Sequence, residues 1–179
     1  THNVYNALGA IGVALWQGIQ WDHIKKALEG FRGIRRRLDQ VGWVGTSPVF
    51  DDYAHHPTEI RATLAALAQV ATRLIAVWQP HRSRRVEAML PEFLAAFDQA
   101  DVLIVTRVYA AGEKPRPAVS SERIYQAFAT SRQLPTIFAP NTKQIAAVVK
   151  RHLSDNSKVV FLGAGDITNA AAVLVQEPE

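Results

Sequence analysis

No cysteine occurs in the 179 residues, which excludes disulfides, thiolate metal sites and a cysteine nucleophile. No apolar run approaches the roughly 18–20 residues needed to span a bilayer. The opening Thr1-His2-Asn3 also lacks the basic region of a secretion signal, so a cytoplasmic location is expected. The phosphate-cradling pattern of glycine, four residues and Gly-Lys-Ser/Thr is missing as well. Aromatic residues make up only 8% of the chain, and the basic segments carry no interleaved aromatics, which argues against a nucleic-acid track.

What is present suits a globular α/β chain. Hydrophobic residues are 48% of the total, enough to bury a core without staples. The net charge is +4 and is concentrated at Arg32–Arg37 and His81–Arg85. Local clusters of this kind favour compact anions such as phosphates, carboxylates or nucleotides.

Apolar residues at Val4, Leu8, Ile11, Ala14 and Leu15 recur at helical spacing and predict a helix over 3–18, with a second over 21–31. From Val41 to Phe50 two short strands are expected around a turn at Gly45-Thr46-Ser47-Pro48. Helices are expected at 57–70, within 84–98 and at 121–131, 142–153 and 166–175. Strands are expected at 73–78, 101–106, 135–138 and 157–162. Short continuous apolar runs read as strands buried on both faces. The expected fold is therefore a three-layer, Rossmann-like α/β domain with a mostly parallel sheet and right-handed crossovers, preceded by two helices. The boundary is placed near Gly33, giving residues 1–33 and 34–179.

In such sheets ligands bind beyond the carboxyl ends of the strands. Four polar segments fall there: Asp51–His56, Gln79–Arg85, Tyr109–Lys114 and Gly163–Asp166. Each has an alternative reading. His55 and His56 with Asp51 and Asp52 carry zinc-ligand chemistry, but adjacent side chains rarely converge on one ion. One of these histidines can instead cap the following helix while one aspartate satisfies loop backbone. The Arg82, Arg84, Arg85 cluster at a helix start is electrostatically unfavourable unless an anion compensates it. Gly163-Ala164-Gly165 lacks the full dinucleotide fingerprint.

Taken in order, these segments resemble the Mur ligase family. His2-Asn3-Val4-Tyr5-Asn6-Ala7-Leu8 is similar to the helix that ends its ATP-binding central domain, and Phe31–Asp39 to the segment entering its carboxy-terminal, amino-acid-binding domain. Asp51-Asp52-Tyr53-Ala54-His55-His56-Pro57-Thr58-Glu59 is the most specific match. Gln79-Pro80-His81-Arg82 and the Tyr109–Glu113 loop resemble the alanine-adding branch. The sequence departs from the family pattern at Arg35, Ser83, Arg84 and Ala110.

The resemblance implies part of a ligase that uses ATP and Mg²⁺ to join L-alanine to UDP-N-acetylmuramate through an acyl phosphate, with the amino-terminal and central domains of the enzyme as partners. It implies ATP contacts from Asn3, Asn6, Arg37 and Asp52. It places Tyr53 and a catalytic His55 at the alanine site. His81, Arg82 and Arg85 would hold the amino-acid carboxylate, leaving open which of Arg84 and Arg85 faces substrate. Bidentate arginine recognition suits that task. Three alternatives remain: a ligase that recycles murein tripeptide, a non-catalytic nucleotide-binding remnant and a nucleic-acid-binding module.

Overall fold

The computed structural model describes residues 2–114, 116–131 and 134–176, with side chains from Val4 onward. The chain divides into two compact units, Thr1–Ile34 and Arg35–Glu179.

The first unit holds α1 (His2–Trp16) and α2 (Trp21–Gly30). Gly18, at φ +77°, makes the turn that ends the first helix. Val4, Tyr5, Leu8, Val13, Leu15 and Trp16 of α1 are all exposed.

The second unit is the α/β domain. Its six strands are β1 (Asp39–Val44), β2 (Ser47–Asp52), β3 (Arg73–Trp78), β4 (Val102–Val105), β5 (Thr136–Phe138) and β6 (Ser157–Leu162). They lie in the order β1-β2-β6-β3-β4-β5. Only β1 runs antiparallel to its neighbour. It is joined to β2 by the two-residue turn Gly45-Thr46, with Gly45 at φ +56°. The turn is shorter than the four residues expected, because Ser47 and Pro48 already pair with Val44 and Trp43.

Between the strands run α3 (Pro57–Ala68), α4 (Ser83–Ala88), α5 (Leu90–Leu94), α6 (Ser121–Ser131), α7 (Thr142–His152) and α8 (Ile167–Gln176). The helical stretches expected across 84–98 are two short helices that part at Met89. Alternation along β3 builds two cores, one on each face. Leu74, Ala76 and Trp78 pack with α3, α5 and α6, whereas Ile75 and Val77 pack with α7 and α8. The first core is centred on Trp78, whose ring lies 5.0 Å from Phe93, 5.2 Å from Phe97 and 5.5 Å from Phe128. All four rings are buried, and aromatic pairs of this geometry add about 0.5–1.5 kcal/mol each beyond area burial.

The feature that positions a site is the register. Asp52 pairs with Leu162, Leu162 with Trp78, Trp78 with Val105, and Val105 with Phe138. One line across the sheet thus marks where five strands end, and the loops that follow leave at the same level.

Candidate functional site

Strand order reverses around β3. From it the chain proceeds outward through β4 and β5, then returns to place β6 on its other side. The crevice between the ends of β3 and β6 is therefore the switch point at which such sheets take ligands. Gln79 spans it. Its Nε2 donates to Asp166 Oδ1 at 2.7 Å, and its Oε1 accepts from Ile167 N at 3.3 Å. No side chain fits at Gly165, where a Cβ would meet Gln79 Oε1 and the Tyr109 ring. A cavity of about 400 Å³ opens beside this link, bordered by Gln79, Thr106, Arg107, Tyr109, Asn141 and Asp166.

The loop after β2 is held from behind by its own acids. Asp52 is buried; its Oδ2 accepts from Leu38 N at 2.7 Å and its Oδ1 from Ala54 N at 2.8 Å. Burial pushes its carboxyl above the ordinary range, against the lowering effect of those two bonds and of Arg37. This is the loop-satisfying aspartate of the alternative reading. Glu59, on α3, accepts from His55 N at 3.0 Å and His56 N at 3.2 Å. Burial alone would raise its pKa, but the His55 amide, the His55 ring, the His56 amide and Arg37 together lower it. His56 caps α3, its Nδ1 accepting from Thr58 N at 3.3 Å. With Glu59 at the third helical position this forms a capping box, and Pro57 supplies the preset first turn. His56 is thus committed to the helix, while His55 is left for the site. Among the described residues, no three His, Asp or Glu side chains are grouped to hold a metal ion.

In front of these supports lies a row of rings. Tyr53 meets His55 edge-on at 5.3 Å, His55 lies 5.6 Å from His81, and His81 stacks on Tyr109 at 5.6 Å and 9°. At one end the guanidinium carbons of Arg36 and Arg37 lie 5.0 and 5.7 Å from the Tyr53 centroid. Beside His81 stands Arg85, its Nη1 3.4 Å from His81 Nδ1. Burial, then Arg85, His55 and Arg82, hold the His81 pKa below its ordinary value, opposed by Glu113.

The structure thus gathers Tyr53, His55, His81 and Arg85 in one row and places Arg37 at its end. Arg82 is exposed; its backbone N–H donates to Tyr109 O at 2.9 Å and links two of the loops. Arg84 is exposed with its amide on Glu113, while Arg85 is the partly buried arginine against His81. Asn6 is exposed on α1 of the first unit, and the Asn3 side chain lies outside the described residues.

Sequence reasoning missed Arg36. Its Nη2 donates to Gly163 O at 2.7 Å and Gly165 O at 3.1 Å, and its Nε lies 3.4 Å from Asp51 Oδ2. It clamps the glycine-rich loop to the β2 end. Three consecutive arginines gave no signal for which one turns inward. The left-handed backbone at Arg36 (φ +59°) and Leu38 (φ +53°) makes that choice. Arg82 (φ +64°) and Ala111 (φ +50°) share this conformation, so among the described residues four of the five non-glycine positions with positive φ border the site.

Fold and site together define a doubly wound α/β domain whose strand-end loops bring arginines and histidines together at one edge of the sheet. The model of the Mur ligase, glutamate ligase domain, matches residues 36–165, and the chain belongs to that family. A UDP-N-acetylmuramate–L-alanine ligase from Chelativorans sp. (strain BNC1) is 43% identical over 178 residues, covering 98% of this chain and 38% of that protein. The structure of UDP-N-acetylmuramate-alanine ligase from Thermotoga maritima matches with a TM-score of 0.77 at 30% identity, over 98% of this chain and 37% of that one. A murein peptide ligase from Psychrobacter arcticus matches with a TM-score of 0.68 at 26% identity, over 99% and 38%. The chain therefore spans well under half the length of the relatives it matches. No helix among the described residues is long and apolar enough to cross a membrane.

Proposed function

We propose that this chain supplies the amino-acid site of an ATP-dependent ligase that joins L-alanine to UDP-N-acetylmuramate. The observation that carries the reading is the row Tyr53, His55, His81 and Tyr109 with Arg85 beside it, at the strand ends of a Mur ligase domain. The carboxylate of L-alanine would sit on Arg85 and His81, with Arg82 at the rim, and its amine toward His55 and Tyr53. A carboxylate set between a guanidinium and an imidazole N–H gains charge-assisted bonds and fixes the amine's direction.

ATP, when bound, activates the sugar carboxylate for attack. Arg37, exposed beside Tyr53, is the residue assigned to its phosphates, since Arg36 is engaged with Asp51 and two carbonyls. Asn3 and Asn6 are assigned to adenine. Asp52 is assigned to ribose only in addition to its two backbone bonds. Mg²⁺ is assigned mainly to the central domain of the ligase. The remaining domains of the ligase are the expected partners, in the cytoplasm.

Phosphate release by the full-length ligase, with ATP and UDP-N-acetylmuramate, tests the reading by comparing L-alanine with the tripeptide as acceptor. Release with alanine alone supports it. Release with the tripeptide alone would make this a recycling ligase.

A further inference from the structure

The two imidazoles of the site make different hydrogen bonds through the same ring atom. His55 Nδ1 lies 2.9 Å from Tyr53 O. A carbonyl can only accept, so in the neutral ring Nδ1 carries the proton and Nε2 is a bare acceptor. His81 Nδ1 lies 3.4 Å from Arg85 Nη1. A guanidinium can only donate, so here Nδ1 is bare and Nε2 carries the proton. The rings are neighbours, 5.6 Å between centroids.

We infer that His55 and His81 are held in opposite tautomers, making His55 Nε2 the base that takes the ligand's ammonium proton and His81 Nε2–H a fixed donor to its carboxylate. The division of labour rests on the amino-acid reading above; the tautomers themselves do not. In the step, an N–H bond of the ammonium breaks, its electron pair stays on nitrogen as the attacking pair, and the proton forms a bond to His55 Nε2. The imidazolium so formed has Glu59 Oε2 3.5 Å from Nδ1, and the proton later leaves to solvent.

His81 is not placed to act as the base, because its Nδ1 faces the Arg85 donor and its Nε2 carries the proton. Burial, then Arg85 on α4, His55 from the β2 loop and Arg82 before α4, also disfavour a positive charge there, and Glu113 from the β4 loop opposes them. Tyr109, stacked on the other face, adds no charge. Glu59 is thus a positioning residue for His55, while Arg85 both meets the carboxylate and orients His81.

The test is a long-range ¹H–¹⁵N correlation of the imidazoles in the ¹⁵N-labelled chain, recorded near pH ~8. His55 should show a protonated Nδ1, and His81 and His56 a protonated Nε2. His152, whose Nδ1 lies 3.0 Å from Val148 O, is the internal standard for the first pattern. His55 and His81 in the same tautomer would overturn the inference. Arg85→Met should raise the His81 midpoint and release its tautomer preference; an unmoved His81 spectrum would remove Arg85 from its role.

In the full-length ligase, Glu59→Gln should lower kcat roughly tenfold or more and shift the acid limb of its pH profile, with the alanine KM little changed. Arg85→Met should instead raise that KM. If alanine is not the acceptor, activity fails with wild type while the spectrum still stands, so the two failures are separable.

Discussion

Replacing Arg36 with alanine tests whether this residue is the clamp between the glycine-rich loop and the β2 end. Its side chain is 26% exposed and its partner Asp51 only 2%, so removal leaves a carboxylate in the interior without its cation. Breaking a fully buried pair costs about 3–5 kcal/mol. Because water reaches a quarter of Arg36, a cost of about 2–3 kcal/mol is expected for the pair. The carbonyls of Gly163 and Gly165 also lose their donor. Gly163 is buried and Gly165 half-buried, so water replaces only part of these bonds and their loss adds about 1 kcal/mol. The sum, about 3 kcal/mol, corresponds to a drop in Tm of roughly 6–12 °C for a domain of this size.

Thermal unfolding read by near-ultraviolet dichroism, which reports the buried Trp78 cluster, measures it. Adding Asp51→Asn to the variant neutralises the orphaned charge and should restore more than about 1 kcal/mol, a coupling that separates the ion pair from lost packing. A Tm shift under about 2 °C, or simple additivity in the double variant, would refute the clamp.

Other predictions follow from the same contacts. His56→Ala should lower stability by about 1 kcal/mol through loss of the α3 cap, seen in urea midpoints, while leaving the His81 spectrum unchanged. Gly165→Ala should displace Gln79 and Tyr109 and, on the proposed function, raise the alanine KM of the full-length ligase; unchanged kinetics would mean that the crevice tolerates a side chain. Trp78→Ala should cost about 3–5 kcal/mol and broaden the amide spectrum of the domain. Because the folded His81 pKa is lowered, the unfolded chain takes up that proton first. The stability this gives is fully present above about pH 6.5 and is lost as pH falls through the lowered folded value. His81→Gln should therefore flatten the change in Tm between pH ~7.5 and pH ~5, and an unaltered slope would assign that pH dependence to other groups.

Most of the fold was legible because its strands are short apolar runs with a single environment. Leu74-Ile75-Ala76-Val77-Trp78 is buried on both faces, so hydropathy alone marks it, and the register then aligns the polar segment after each strand. The site loops were legible as positions for the same reason. Individual roles were not, because they depend on backbone conformation. In Asp51–Glu59 the pattern shows three acids, two histidines and a helix start, but φ and ψ decide the rest. They send His56 to the cap, Asp52 to two amides and His55 to the ring row.

Arg35, Arg36 and Arg37 are one charge run in sequence, yet left-handed φ at Arg36 turns that guanidinium onto Gly163 and Gly165 and leaves Arg37 exposed. Positive φ at a non-glycine residue is strained and is kept only where contacts over-determine it. Four such residues border one site, and the contacts that hold three of them are long-range ones. Asp52 holds Leu38, the glycine-rich loop holds Arg36, and Tyr109 O holds Arg82. The strain is therefore paid from bonds between loops that no local pattern predicts. The cradle forms only when all the strand ends are in register, which makes the sheet's alignment, rather than any single loop, the determinant of the site.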